Sequence, residues 1–114
     1  MKSKIVALSK NEDFKKLLKN KKFSNKYITL FFGSLDDKNN KKLNISFVAK
    51  KKLTRSAVKR NKIKRRLRNI MNEIVNQISI NLNYSYLVIA KITMLNNEYK
   101  IIKDTLFQDF KKIK

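Results

Sequence analysis

The alternation of apolar and polar residues predicts two β-strands in the first half of the chain. In residues 27–32, one face carries Ile28, Leu30 and Phe32, and the other carries Tyr27, Thr29 and Phe31. After a polar turn, residues 43–49 alternate in the same way, which is the period of a strand with one face toward a core. We expect the two strands to form an antiparallel hairpin or to lie as near neighbours.

Helical spacing of apolar residues predicts three helices. A capping box that begins at Ser9 opens a short helix that ends near Asn20. Residues 56–78 predict a long amphipathic helix with an apolar arc of about 100°, and residues 97–112 predict a C-terminal one. Residues 86–92 are almost continuously apolar, as in a strand covered on both faces.

The order of these elements predicts the fold class. A strand, a long helix and a second strand in succession favour a parallel crossover unit. We therefore expect one domain, residues 1–114, of the α+β class. It should be a two-layer sandwich with an N-terminal helix, an antiparallel strand pair, the parallel crossover and a C-terminal helix.

The composition narrows the possible functions. The 114 residues include no Cys and no His, which removes disulfides, the usual zinc sites and any catalytic dyad that needs an imidazole or a thiol. No apolar run approaches the roughly 20 residues that span a bilayer, and the apolar start is too brief for a signal peptide, so a cytoplasmic protein is expected. The net charge of +21 indicates a standing anionic partner, with nucleic acid ahead of a membrane surface.

The placement of the charges says more than their number. All five Arg fall between residues 55 and 68, and from Lys38 to Asn72 there are fourteen bases and no acid. Each cation at a helix N-terminus destabilises the helix by about 0.3 to 1 kcal/mol, yet the long helix begins with several of them. An ordinary lysine-rich stripe is most often a solvated helix face, but clustered Arg and unpaired amides together form a phosphate receptor. We interpret this segment as a polyanion-binding surface.

The same segment carries a recognisable motif. Ala57-x-x-Arg60-Asn61-Lys62-Ile63-Lys64-Arg65-x-Leu67-Arg68 resembles the signature helix of the bacterial ribonuclease P protein component. Members of that family are small basic subunits that assist a catalytic RNA in removing the 5′ leader of precursor tRNA. The opening of the first helix at residues 10–14 and the order of the later strands also fit, so the resemblance covers most of the chain.

The resemblance implies a fold and two binding sites. The crossover should be left-handed, although the general preference is strongly right-handed. The signature helix and the loop before it should face the catalytic RNA, which assigns RNA binding to Lys51, Lys52, Arg55, Lys59, Arg60, Asn61, Lys62, Lys64, Arg65, Arg66 and Arg68. A cleft between the first helix and the open face of the sheet should bind the leader, through Lys10, Phe14, Leu17, Leu18, Phe31, Ser46 and Val48.

The residues assigned to the proposed cleft are not equally strong candidates for leader contacts. Without the resemblance, Phe14, Leu17 and Leu18 would be interpreted as core residues, since apolar residues on one helix face are usually buried. Relatives often carry an aromatic residue where this chain has Leu18. Phe31 is the better candidate, because it faces away from the most apolar side of its strand.

The implied partners are ribonuclease P RNA and precursor tRNA, with no membrane and no obligate protein partner. The acids are scattered, so we expect no metal or cofactor in the protein itself and Mg²⁺ at the catalytic RNA. A structural RNA-binding protein, such as a small ribosomal protein, is the main alternative. A membrane-surface or DNA-binding basic helix is a further one, although the apolar arc that continues to Ile78 is needed for the core.

Overall fold

Nine elements are assigned in the computed structural model, which describes residues 5–8, 11–34, 42–78, 80 and 84–112. The strands are β1 (Ile5–Val6), β2 (Lys21–Ser24), β3 (Ile28–Gly33), β4 (Leu43–Val48) and β5 (Ser85–Ala90). The helices are α1 (Asn11–Leu18), α2 (Ala57–Gln77), α3 (Thr93–Asn96) and α4 (Tyr99–Lys112). None of the helices in these ranges is long and apolar enough to cross a bilayer.

The strands form one mixed sheet in the order β1-β4-β5-β3-β2. β4 and β5 are parallel neighbours joined through α2, so the predicted parallel crossover and the α+β class are confirmed. The left-handed sense of the crossover stays a prediction.

Of the two arrangements expected for the first two long strands, the hairpin is wrong, because the strands are not adjacent in the sheet. β3 and β4 run in opposite directions, but β5 lies between them and hydrogen-bonds to both. The physical reason is that β5 is apolar on both faces and is best buried at the centre of the sheet. Alternation along a strand shows which residues share a face, but it does not determine which strands are its neighbours in the sheet.

One face of the sheet, here called the core face, packs beneath α2, α3 and α4. Ile28 and Leu30 of β3, Ile45 of β4 and Val88 of β5 are at most 1% exposed there. The helices complete the core with buried residues that repeat at helical spacing: Ile63, Leu67, Ile70, Met71 and Ile74 of α2, and Ile102, Leu106 and Phe110 of α4. Each such side chain contributes about 1.5 to 3 kcal/mol by leaving water, so this face supplies most of the stability.

The opposite face, here called the α1 face, is covered over part of its area by α1 and the segment after β1. Its apolar cluster is small: Leu17 and Leu87 are buried, and Leu8, Phe14, Phe31, Val48 and Ile89 are partly buried around them. Because α1 has only eight residues, it leaves the rest of this face accessible.

The helix boundaries differ slightly from the predicted ones. α1 ends at Leu18 rather than near Asn20, and the Asn20 side chain lies so close to Gly33 that a Cβ there would collide with it. Ser9, the first residue of the predicted capping box, is outside the described residues. β1, β2 and α3 were not predicted, because two to four residues are too few to show a period.

Tyr27 is a correction to the predicted strand faces. It was expected on the face shared by Thr29 and Phe31, but it precedes β3 and is buried in the main core at 2% exposure. Asn25 causes this, since its Oδ1 accepts hydrogen bonds from the backbone N of Tyr27 (2.8 Å) and of Ile28 (2.9 Å). This side-chain turn changes the backbone direction just before the strand begins.

Candidate nucleic-acid interface

The N-terminal half of α2 and the turn before it present an exposed basic surface, here called the basic surface. Its exposed members are Lys51, Lys52, Arg55, Lys59, Asn61, Lys62, Arg65 and Arg68. Among the described residues, none of these basic side chains has a carboxylate within ion-pair distance. The charge of this surface is therefore available to an external anion.

The beginning of α2 is fixed by hydrogen bonds rather than by acidic residues. Ser56 is the N-cap, and its Oγ accepts a hydrogen bond from the backbone N of Lys59 (3.2 Å). The Thr54 carbonyl accepts one from Nη1 of Arg60 at 2.8 Å, and the Thr54 Oγ1 accepts another from the Ser56 N at 3.2 Å. The first turn of α2 contains no acid, so positive potential from the helix dipole adds to that of the side chains.

Arg66 differs from the other predicted RNA-binding residues. Its Nη1 lies 3.4 Å from the Met94 carbonyl oxygen and 3.5 Å from that of Asn97. It therefore joins the flank of α2 to the carbonyl end of α3. The structure gives this guanidinium a packing role, which Arg65 next to it does not share, because the Arg65 side chain is exposed.

The opposite flank of α2 borders a groove of about 490 Å³ beside β1 and β4. Lys64 and Arg68 line its α2 side, and Phe14 lines its α1 side. Its remaining wall is formed by the β1 segment and β4, through Ile5, Ala7, Ile45, Ser46, Phe47 and Val48. The groove therefore connects the basic surface with the α1 face.

From this groove, the α1 face continues across the sheet as two rows of residues in register. The first row runs across β4, β5, β3 and β2 as Ser46, Leu87, Phe31 and Lys22. The second row contains Val48, Ile89, Thr29 and Ser24 in the same strand order. Ser46 and Leu87 are buried, whereas every member of the second row is at least partly exposed. The second row and Phe31 are thus the accessible floor of an open cleft.

The predicted cleft residues are not equally accessible. Phe14, Phe31 and Val48 are partly exposed and Leu18 is 48% exposed, whereas Leu17 is fully buried against the sheet. Leu17 therefore supports the cleft from within the core and offers no contact surface. Lys10 lies outside the described residues.

Ser46 also acts from beneath the cleft. It is 9% exposed, and its Oγ accepts a hydrogen bond from the backbone N of Leu8 at 2.9 Å. This bond holds the segment after β1 against β4. Ser46 thus shapes the groove rather than presenting a polar group to a ligand.

Sequence reasoning missed four accessible residues of this face: Lys22, Ser24, Thr29 and Ile89. Thr29 could have been found from its alternation with Phe31. Ile89 could not be assigned to this face, because a strand that is apolar on both faces shows no alternation of apolar and polar residues. Lys22 and Ser24 lie on β2, which was not predicted.

The tyrosines with raised pKa values belong to the core-face layer. Burial, followed by the negative charge of ionised Tyr84, raises the pKa of Tyr86. Burial, Glu73 and the hydrogen bond from the Tyr99 hydroxyl to Glu73 Oε2 (3.2 Å) raise the pKa of Tyr99. Within the described ranges, no three metal-binding side chains come together.

Comparison with known proteins identifies the family. The family model described as Ribonuclease P matches residues 3–114. The ribonuclease P protein component of Carboxydothermus hydrogenoformans is 26% identical over 108 residues, which are 94% of this chain and 90% of the relative.

Two solved structures share the fold over nearly the full length. The ribonuclease P protein of Thermotoga maritima superposes with a TM-score of 0.78 at 22% identity, covering 96% of this chain and 98% of that one. The ribonuclease P protein of Staphylococcus aureus gives 0.75 at 26% identity, with coverage of 94% and 93%.

The chain therefore belongs to the ribonuclease P protein family. It is a protein component of an endoribonuclease holoenzyme whose partner is ribonuclease P RNA, and it takes part in tRNA processing.

Proposed function

We propose that this chain binds ribonuclease P RNA through the basic surface and binds the 5′ leader of precursor tRNA in the cleft of the α1 face. The single observation that carries this proposal is the groove beside β1 and β4. Lys64 and Arg68 of α2 line it together with Phe14 and Val48. A leader that emerges from the catalytic RNA could thus pass into the cleft without leaving the protein.

The two sites differ in the interactions they offer. The basic surface supplies exposed cations and a helix N-terminus, which suit the phosphates of a folded RNA. The cleft floor combines the apolar side chains of Val48 and Ile89 with two hydroxyl side chains and one accessible aromatic ring, that of Phe31. A base stacked on such a ring contributes about 1 to 3 kcal/mol and needs no particular sequence. Leaders of different sequence could therefore bind.

Assistance to catalysis would be indirect. Phosphodiester cleavage is carried out by the catalytic RNA with Mg²⁺ ions, which stabilise the charge that develops on the phosphate. Leader binding by the protein raises affinity for precursor over mature tRNA. The basic surface also screens repulsion between RNA strands, which lowers the magnesium concentration that the reaction requires.

The first test is cleavage of a precursor tRNA by a bacterial ribonuclease P RNA at low magnesium, with and without this protein. We expect strong stimulation of cleavage at the mature 5′ end. No stimulation, from a folded protein that still binds RNA, would contradict the proposal and favour a structural RNA-binding protein of the ribosomal kind.

A pair of charge-matched variants tests the basic surface. Arg65→Gln with Arg68→Gln should weaken assembly with the RNA. The slope of log affinity against log salt should also fall by about 0.7 to 0.9 for each phosphate that the protein no longer neutralises. Lys100→Gln with Lys112→Gln removes the same charge from exposed positions on α4 and should have a much smaller effect. Equal weakening by both pairs would mean that net charge alone drives assembly.

A further inference from the structure

The edge strand β2 places two neighbouring lysines on opposite faces of the sheet. Lys22 pairs in register with Phe31 on the α1 face, and its Nζ lies 5.8 Å from the centre of the Phe31 ring. Lys21 pairs with Phe32, and its Nζ lies 5.5 Å from the centre of the Tyr84 ring beside the main core. Both side chains are exposed, so the two residues differ chiefly in the face that they serve.

Lys22 is not committed to a structural contact on the α1 face. Within the described part of the chain, its ammonium has no hydrogen-bond or ion-pair partner, and it lies over the ring of Phe31. Lys91 shows the contrast. Its Nζ donates to Ser24 Oγ at 2.8 Å and to the Asn25 carbonyl at 2.5 Å, so it ties the turn after β2 to the end of β5.

We propose that Lys22 binds the phosphate beside the leader base that stacks on Phe31, and that it marks the far end of the leader path. This inference rests on the proposed function, since it assigns a further binding residue to the same cleft. The occupant is single-stranded RNA, because the floor of the cleft offers the Phe31 ring and the apolar side chains of Val48 and Ile89 to bases, and both of its ends are basic.

The sheet defines the direction and length of this path. Lys64 and Arg68 lie at the β4 end, next to the surface that faces the catalytic RNA, and Lys22 lies at the β2 end. From β4 to β2 there are three strand spacings, or about 14 Å, which a few extended nucleotides can span. Leader nucleotides near the cleavage site therefore lie by β4, and those further toward the 5′ end reach β2.

The flexible stem of Lys22 lets one side chain occupy two positions. Without RNA, the ammonium lies over the Phe31 ring, where the electrons of the ring attract it. An incoming base takes that position on the ring. The four-carbon stem then allows the ammonium to move to the adjoining phosphate.

The test measures the affinity of the assembled holoenzyme for precursor tRNAs whose leaders increase from one to about ten nucleotides. For the wild-type protein, affinity should rise with leader length and then level off. Lys22→Gln should remove the last part of that rise, weakening binding of long-leader substrates by about two- to fivefold, as for one exposed ion pair. Short-leader substrates should bind to the wild-type protein and to Lys22→Gln with the same affinity. Lys22→Arg should keep the wild-type affinity for long leaders.

Lys21→Gln is the matched control, because it removes the same charge from the same strand on the other face. It should leave the length dependence unchanged. The proposal is overturned if Lys22→Gln has no effect, if it weakens all leader lengths equally, or if Lys21→Gln has the same effect. A wild-type protein without leader dependence would instead contradict the proposed function itself, whatever Lys22 does.

Discussion

The two faces of the sheet are built from alternate residues of the same strands and differ in how completely they are buried. On the core face, Leu30 is fully buried among the apolar side chains of the main core. On the α1 face, the next residue, Phe31, is only partly buried beside a small cluster. The difference follows from what covers each face: α2 and α4 on one side, and the eight-residue α1 on the other.

This division assigns stability and the proposed leader binding to successive residues of the same strand. A strand sends successive side chains to opposite faces, so a substitution at one position can alter the core while a substitution at the next alters only the cleft. Helix α2 shows a related division around its circumference, where Arg66 contacts α3 and Arg65 faces solvent. The comparison of the two faces can be tested with three substitutions.

The largest effect is expected on the core face. Leu30→Ala should lower the free energy of unfolding by about 2 to 5 kcal/mol, because it removes a buried side chain and leaves a cavity. Urea denaturation measures this decrease. A decrease in the free energy of unfolding of less than about 1 kcal/mol would mean that the core face is loosely packed. The two faces would then not differ in their contribution to stability.

Phe31→Leu should affect binding more than folding. An aliphatic side chain still packs against the cluster around Leu17 and Leu87, so the decrease in stability should stay below about 1.5 kcal/mol. Removal of the aromatic ring should reduce the preference for precursor over mature tRNA by about fivefold or more, since base stacking contributes about 1 to 3 kcal/mol. Binding assays with the assembled holoenzyme measure this ratio. An equal decrease of affinity for both tRNAs would remove Phe31 from the leader site.

The smallest effect concerns pH. Burial raises the pKa of Tyr86 on the core face, so the folded protein keeps this proton after the unfolded chain has released it. Tyr86 in the unfolded chain has a pKa of about 10. Its contribution to the free energy of unfolding is therefore constant below that pH and decreases as the pH rises above it.

Tyr86→Phe should therefore make the decline of stability above a pH of about 10 shallower, by up to about 1.4 kcal/mol per pH unit. Denaturation at a pH of about 9, 10 and 11 compares the two proteins under identical ionic strength, so that lysine titration is common to both. Parallel curves would show that the phenol ionises without cost and that this part of the core face is open to water.

The candidate site was predicted in part from the sequence. The segregation of Arg and the absence of acids identified the basic surface, and strand alternation placed Phe31 and Val48 on the face away from the main core. Neither signal could distinguish Arg65 from Arg66, because the partner of Arg66 is a carbonyl 28 residues away. The apolar face of α1 suggested burial for Phe14, Leu17 and Leu18 alike, and only the position of α1 on the sheet shows that Leu17 is buried whereas Leu18 is 48% exposed.

The sequence by itself determined the elements that have a clear period, their faces, the charge of α2 and, through its motif, the family. The tertiary structure alone decided that β5 separates β3 from β4, that Lys22 lies over Phe31, and that one groove joins α2 to the cleft. Periodicity and charge are local properties of the chain. Strand order and the meeting of distant side chains depend on which faces are buried together, and this is settled only when the whole core forms.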